Sequence, residues 1–306
     1  MEAPSFISLA RKRAQGERAL EQRKLRIQDF LEMKKQRKKF AMISVCDYPM
    51  ALLADKAGID AILVGDALHV VALGHETTIT ATMDEMIMFS NAISRAAKRA
   101  FVIGDMPFMS SEVTRELAIR NAGRFLSEGL CDAVMIEGGE EMADTVKALV
   151  RAGIPVLGHI GFMPQKLTLG RLGSYPQGID ARSAEKILND ALALEKAGAF
   201  MIFLGVTAAQ AAKVITKELS IPTVGTGSGP DCDGQCMISH NVLGIYDRQV
   251  GKHEKKFANL HDIILKAFEA YREEVLSGKW PDEEHSYLMN QAELPKFESM
   301  SRRIKS

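Results

Sequence analysis

The sequence predicts an α/β protein built as a (β/α)8 barrel, with a helical extension at its N-terminus. Between Lys39 and about Leu243, short apolar runs alternate with helical stretches, which is the pattern of βα units around a parallel sheet. Eight such runs match the strand number of this barrel. A doubly wound sheet would alternate in the same way, but no G-x-G-x-x-G turn follows the first strand. The barrel is therefore favoured.

The segment before the first strand, residues 1–39, is basic, with twelve Lys and Arg against five Asp and Glu. From Ser8 to Lys39 it is rich in helix formers and lacks proline, which predicts a long, mostly exposed helix or pair of helices. We interpret it as a solvated helix or subunit contact, with nucleic-acid or acidic-surface binding and disorder as alternatives. The whole chain carries 39 basic and 39 acidic side chains, so we expect no nucleic-acid or membrane partner.

The barrel is predicted to occupy residues 40–287, followed by a polar tail at 288–306. Its strands are predicted at Phe40–Val45, Ala61–Val64, Phe101–Gly104, Ala133–Ile136, Pro155–Gly158, Phe200–Leu204, Pro222–Val224 and Met237–Ser239. Gly58, Gly153 and Gly198 each stand between a helix and a strand, where glycine fits the left-handed cap. A closing helix is expected between His253 and Gly278, and a loosely held tail after it.

Composition points to the cytoplasm. Four scattered cysteines are too few for a disulfide framework, which suits a reducing compartment. No apolar run approaches the roughly 18 residues that span a bilayer, and the first ten residues do not resemble a signal peptide. A small-molecule substrate is the expected partner.

Three carboxylates end successive predicted strands. Asp66 and Asp105 each follow a glycine at the end of an apolar run, and Glu137 ends the fourth run. An aspartate in this place is often only a helix N-cap. Three carboxylates at one barrel mouth would repel each other unless a cation lay between them, and oxygen ligands suit Mg²⁺. The recurrence therefore favours a metal site.

Two further features lie at the predicted mouth. His159 ends the fifth run between glycines that leave room for a ligand, although a histidine here can equally be structural. The glycine-rich stretch 225–235 follows the seventh run, where barrels often bind anions. Its own aspartates argue against an anion, so we interpret it as a shaped loop.

Six ordered motifs give the chain a resemblance to ketopantoate hydroxymethyltransferases, from about Arg26 to Tyr287. They are Ser44-Val45-Cys46-Asp47-Tyr48-Pro49, Val64-Gly65-Asp66, Gly104-Asp105-Met106-Pro107-Phe108-Met109-Ser110, Glu137-Gly138-Gly139-Glu140, Gly158-His159-Ile160-Gly161 and Gly229-Pro230-Asp231-Cys232-Asp233-Gly234-Gln235. The resemblance implies a TIM barrel of the phosphoenolpyruvate/pyruvate superfamily and a homo-oligomer, a decamer in many members.

The resemblance also implies a reaction, the first step of pantothenate biosynthesis. Mg²⁺ chelates 3-methyl-2-oxobutanoate, a base removes its C3 proton, and the enolate attacks the methylene group of 5,10-methylenetetrahydrofolate. By position, Asp66 and Asp105 match the direct metal ligands, and Glu137 matches the carboxylate that reaches the metal through water. His159 matches the histidine on the substrate side, so it and Glu137 are the catalytic candidates.

Three substrate-side positions differ from the pattern that the resemblance implies. Ala67 stands where the family has a serine that binds the substrate carboxylate, and Met135 replaces a lysine. Gly205 stands where the family carries the glutamate assigned as base, at a strand end where we expect a side chain to point into the mouth. Substrate contacts are thus expected at Asp66, Ala67, Asp105, Met135, His159 and Gly205.

The leading hypothesis is a Mg²⁺-dependent hydroxymethyltransferase acting on a 2-oxo acid. A diverged Mg²⁺-dependent lyase or transferase that forms or breaks a carbon–carbon bond in a less polar 2-oxo acid is the first alternative, favoured by Ala67 and Met135. A non-catalytic assembly homologue is the second. Metal affinity separates the enzymes from the assembly subunit, which has no need of Mg²⁺.

Overall fold

The computed structural model describes residues 23–169, 176–246 and 251–304. Eight parallel strands close into a barrel in which each strand pairs with the next along the chain and the last pairs with the first. The strands are β1 Phe40–Ser44, β2 Ala61–Val64, β3 Phe101–Asp105, β4 Ala133–Glu137, β5 Val156–Gly161, β6 Met201–Gly205, β7 Thr223–Thr226 and β8 Gly234–Ile238. The predicted (β/α)8 barrel is confirmed.

Helices follow the strands. The α-helices of the described residues are α1 Ile27–Lys35, α2 Tyr48–Lys56, α3 Leu68–Val71, α4 Met83–Ala96, α5 Arg115–Ser127, α6 Ala143–Arg151, α7 Ala181–Ala197, α8 Ala209–Glu218, α9 Ser239–Leu243, α10 Leu260–Leu276 and α11 Leu294–Ile304. The predicted glycine caps are confirmed, because Gly58, Gly153 and Gly198 have φ of +82°, +82° and +104°. A side chain in this left-handed region would be strained.

Helix α1 closes the N-terminal end of the barrel. Phe30 is fully buried, and its ring packs edge-on against Phe40 at 5.0 Å and Phe101 at 5.6 Å between centroids. Ile27–Lys35 is helical as expected, and Phe30 is its one buried residue, with a ring that fills the barrel end. The part of that expectation that falls on residues 8–22 lies outside the described residues.

Strand β8 begins three residues before its predicted start, within the stretch interpreted as a loop. Gly234 pairs with Phe40 of β1, and a Cβ on Gly234 would lie 2.3 Å from the Phe40 ring. The missing side chain lets the strand start beside this ring. The start of this strand was not predicted because the sequence there is rich in glycine, which is unusual inside a strand. Pairing with β1 stabilises it.

The described chain divides into two compact units. The first runs to Leu243 and includes 251–257, and the second consists of 244–246 and 258–304. The closing helix, expected within the barrel domain, is α10 of the second unit, and the predicted tail contains α11. None of the described helices is long and apolar enough to cross a membrane.

Candidate active site

Three buried carboxylates lie at the C-terminal ends of neighbouring strands. Asp66 follows β2 by two residues, and Asp105 and Glu137 are the last residues of β3 and β4. Their exposed fractions are 4%, 2% and 2%. The backbone N–H of Asp66 donates to Oδ2 of Asp105 at 3.1 Å, so these two residues are in direct contact. The parallel barrel thus brings together the carboxylates that the sequence places at successive strand ends.

The carboxylates are held in an environment that disfavours their charge. Burial raises the pKa of Asp66 to about 6. Burial, together with the charges of Asp66 and Glu137, raises the pKa of Asp105 well above its usual range. Burial and then the charge of Asp66 do the same to the pKa of Glu137. Oδ1 of Asp105 is buried without a hydrogen-bond partner. A cation would relieve both the repulsion and the unsatisfied oxygen.

No set of three or more His, Cys, Asp or Glu side chains among the described residues is arranged to hold a metal ion by itself. Asp66 and Asp105 are two carboxylate residues in direct contact. Mg²⁺ in proteins usually keeps several waters and binds through one or two carboxylates plus oxygens of the substrate.

His159 lies on β5, where it pairs in register with Glu137 of β4. Its Nδ1 is 3.5 Å from Oε1 of Glu137, and its ring meets Phe203 edge-on at 4.8 Å. Both ring nitrogens are buried without a hydrogen-bond partner. Burial lowers the pKa of His159 to about 4, so the imidazole is neutral near pH 7. A neutral imidazole has one N–H donor and one acceptor nitrogen, so its N–H can donate to a substrate oxygen.

Gln165, which no sequence motif singles out, joins two of the three carboxylates, Asp66 and Glu137. It lies in a short 3-10 helix after β5 and is 2% exposed. Its Nε2 donates to Oδ2 of Asp66 and to the carbonyl of Met106, both at 3.0 Å. Its backbone N–H donates to Oε2 of Glu137 at 3.1 Å. One residue therefore contacts the ends of three strands.

We expect Gln165→Ala to destabilise the protein by about 1 to 2 kcal/mol, because a buried carboxylate and a carbonyl lose a donor. Urea unfolding followed by circular dichroism measures this change. Gln36→Ala is the control, since Gln36 is exposed and surface substitutions usually stay within about 0.5 kcal/mol. Equal stabilities of the two variants would contradict the connecting role of Gln165.

A cavity of about 240 Å³ opens beside the carboxylates at the barrel mouth. Asp66, Ala67, Asp105, Met135 and His159 all line it, so the structure brings these predicted site residues together. Its apolar wall includes Leu63, Met135, Phe162, Phe203, Val206 and Ile238. No lysine or arginine is among the described residues that line the cavity.

Gly205 is the predicted site residue that differs most from expectation. It ends β6, but the space for a side chain is occupied, because a Cβ would lie 2.2 Å from the carbonyl oxygen of Phe162. The same Cβ would lie 2.9 Å from Nε2 of His159. The loop after β5 therefore fills the position from which a side chain at 205 would enter the mouth.

Comparison with known proteins identifies close relatives of this chain. The family model described as ketopantoate hydroxymethyltransferase matches residues 24–283. The 3-methyl-2-oxobutanoate hydroxymethyltransferase of Staphylothermus marinus is 48% identical over 90% of this chain and 100% of the relative. The enzyme of the same name from Pelobacter propionicus is 47% identical over 87% of this chain and 98% of the relative.

Solved structures with low sequence identity share the fold. Phosphonopyruvate hydrolase aligns with a TM-score of 0.56 at 12% identity, covering 91% of this chain and 96% of that protein. A 2,3-dimethylmalate lyase of the PEP mutase/isocitrate lyase superfamily aligns with a TM-score of 0.54 at 18% identity, covering 91% and 96%. These similarities support the barrel assignment alone.

Proposed function

We propose, because the chain belongs to the ketopantoate hydroxymethyltransferase family, that it transfers the one-carbon unit of 5,10-methylenetetrahydrofolate to C3 of 3-methyl-2-oxobutanoate. The product is 2-dehydropantoate. The observation that carries this proposal is the convergence of Asp66, Asp105 and Glu137, all buried, beside a cavity of about 240 Å³. Buried carboxylates are costly to keep in an apolar barrel, so their presence favours a function that needs them.

Mg²⁺ is the proposed cofactor. Asp66 and Asp105 would hold it directly, and Glu137 would contact it through water. The unpartnered Oδ1 of Asp105 and the raised pKa values of the three carboxylates support this assignment. When bound, the cation stabilises negative charge that develops on the carbonyl oxygen of the substrate.

The protein side chains position the substrate. His159 would hydrogen-bond to a substrate oxygen through a free ring nitrogen. Met135 and Phe203, both buried, offer an apolar wall against which the branched alkyl group of the substrate would pack. Gln165 keeps Asp66 oriented through its hydrogen bond. Together these contacts would fix the 2-oxo acid with its carbonyl toward the carboxylates.

A second candidate is a Mg²⁺-dependent lyase or transferase that acts on a different, less polar 2-oxo acid. It is favoured by the absence of lysine and arginine among the described lining residues, and by Ala67 and Met135 on the cavity wall. A carboxylate in this cavity would bind without a charge-assisted hydrogen bond from such a cation.

The test of the proposed function is formation of 2-dehydropantoate, followed by proton NMR. Protein, Mg²⁺, 3-methyl-2-oxobutanoate and 5,10-methylenetetrahydrofolate should give the product, and a chelator should stop its formation. Exchange of the C3 proton in D₂O without product would favour the second candidate, with longer 2-oxo acids then tried as substrates. Neither product nor exchange with 3-methyl-2-oxobutanoate would contradict the first candidate, and no exchange with the longer 2-oxo acids either, despite tight Mg²⁺ binding, would contradict the second.

The proposal includes a cytoplasmic homo-oligomer, with the decamer that the family resemblance implies as the specific expectation. The four cysteines are all free and buried, which suits a reducing compartment. Sedimentation velocity of the full chain measures the assembly. A monomer at micromolar concentration would contradict it.

A further inference from the structure

We propose that Glu254 is the proton acceptor of this active site, an inference that rests on the proposed function. Glu254 lies beyond β8 in a turn that lines the same cavity as Asp66, Asp105 and His159. It stands outside every motif that carries the family resemblance. The chain therefore supplies a carboxylate to the cavity from a segment that the sequence pattern did not identify.

Reaction at C3 of a 2-oxo acid requires a base. When the C3–H bond breaks, its electron pair forms the C2–C3 double bond, and the carbonyl pair moves onto the C2 oxygen. The proton passes to a carboxylate oxygen of Glu254, which becomes a neutral carboxylic acid. The step is balanced without an oxidant or a further reactant, and it gives the enolate that attacks the one-carbon donor.

Few other carboxylates can fill this role. Asp66, Asp105 and Glu254 are the carboxylates among the described residues that line the cavity. The proposed function assigns Asp66 and Asp105 to Mg²⁺. Gly205 has no side chain, and the carbonyl of Phe162 fills its place. Glu254 is left as the acidic residue of the cavity lining without another assigned task.

The Glu254 carboxylate is fixed by two neutral donors. The Nδ2 of Asn241 donates to Oε1, and the backbone N–H of Gly251 donates to Oε2 at 2.8 Å. Asn241 is 4% exposed and lies on α9, directly after β8. No ion pair joins Glu254 to a lysine or arginine of the described residues. Each carboxylate oxygen keeps a lone pair with which to accept a proton.

The glycine-rich stretch after β7 makes room for this turn. Gly227 has φ of +66°, and a Cβ there would lie 2.9 Å from the Cβ of His253. The N–H of Phe257 donates to the carbonyl of Val242 at 2.8 Å and fastens the other end of the turn. These contacts hold Glu254 at the mouth. The stretch 225–235, interpreted from the sequence as a shaped loop, thus leaves space for the turn that carries Glu254.

The test compares Glu254→Gln with the wild type. Gln keeps the size of the side chain, and its oxygen can accept the Asn241 hydrogen bond, although its NH₂ group cannot accept from the N–H of Gly251. It is not a base. We expect the C3 proton of 3-methyl-2-oxobutanoate to exchange in D₂O with Mg²⁺ at least about 100-fold more slowly. Calorimetry should show the 2-oxo acid binding to the Mg²⁺-loaded variant within about threefold of wild-type affinity. Glu254→Asp should exchange the C3 proton at a rate between those of the wild type and Glu254→Gln, because aspartate also carries a carboxylate.

Glu218→Gln is the matched control, because Glu218 is an exposed glutamate at the end of α8. It should exchange at the wild-type rate. Exchange by Glu254→Gln within threefold of wild type would overturn the proposal, as would parallel loss of binding and exchange, which indicates a structural role. A wild type that binds the 2-oxo acid without exchanging its proton would instead overturn the proposed function, and the role of Glu254 with it.

Discussion

Asp105→Asn is expected to abolish saturable Mg²⁺ and Mn²⁺ binding while leaving the metal-free protein at least as stable as the wild type. Asparagine keeps an oxygen that can accept the N–H of Asp66, so the local hydrogen bond survives. It removes a buried charge that lies near two other carboxylates. A structural aspartate would give the opposite result, because its loss would lower stability and leave metal binding unaffected.

The measurement is thermal unfolding with and without the metal, alongside calorimetry. A cation at about 100 times its dissociation constant stabilises the native state by about 2.7 kcal/mol. Wild type should show this increase in melting temperature, and Asp105→Asn should not. Asp66→Ala should lose binding in the same way. Glu218→Gln makes the same change of charge on the surface and should keep the wild-type response.

A metal-dependent increase in melting temperature in both Asp66→Ala and Asp105→Asn would contradict the assignment of the site. If only one variant kept the metal-dependent increase in melting temperature, the aspartate changed in the other variant would be the one that supplies the binding oxygen. The pair of carboxylates would then no longer be required. The stability of the metal-free variants serves as the check on folding. It separates loss of a ligand from loss of the barrel.

The sequence was informative where function follows from strand topology. Parallel strands in a closed barrel place their ends at one mouth, so Asp66, Asp105 and Glu137 could be grouped before any distance was known. Gln165 gave no such signal, since an uncharged amide in a loop has no periodic pattern. Glu254 was missed because its turn returns to the mouth after β8, and this return depends on contacts far apart in sequence.

The packing around Gly205 was the second feature that could not be predicted from the sequence. The strand ending at Gly205 was predicted to within one residue, yet the sequence could not show that the loop after β5 folds over it. Val206, the next residue, adopts φ of +37°, which is rare for a β-branched side chain. Such a backbone is held by its surroundings, here by the hydrogen bond from its N–H to the carbonyl of Thr226 at 2.8 Å.

Gly205→Ala is expected to destabilise the protein by about 2 to 3 kcal/mol, and Gly205→Glu by at least as much. The added Cβ would lie 2.2 Å from the carbonyl oxygen of Phe162. The loop cannot move aside freely, because the N–H of Phe162 donates to the carbonyl of Gly205 itself at 2.7 Å. A glutamate at position 205, which the family resemblance implies, would therefore strain the site, and it should not increase proton exchange even when Met135→Lys and Ala67→Ser are added.

Gly123→Ala provides the matched control for this effect. Gly123 lies inside α5, and a Cβ there would meet no atom within 4 Å. Alanine should stabilise that helix by about 0.5 to 1 kcal/mol, because glycine loses more conformational freedom on folding. Urea unfolding of both variants measures the contrast. If Gly205→Ala were as stable as wild type and Gly205→Glu accelerated exchange, the loop after β5 would have to yield readily, and position 205 could hold a base after all.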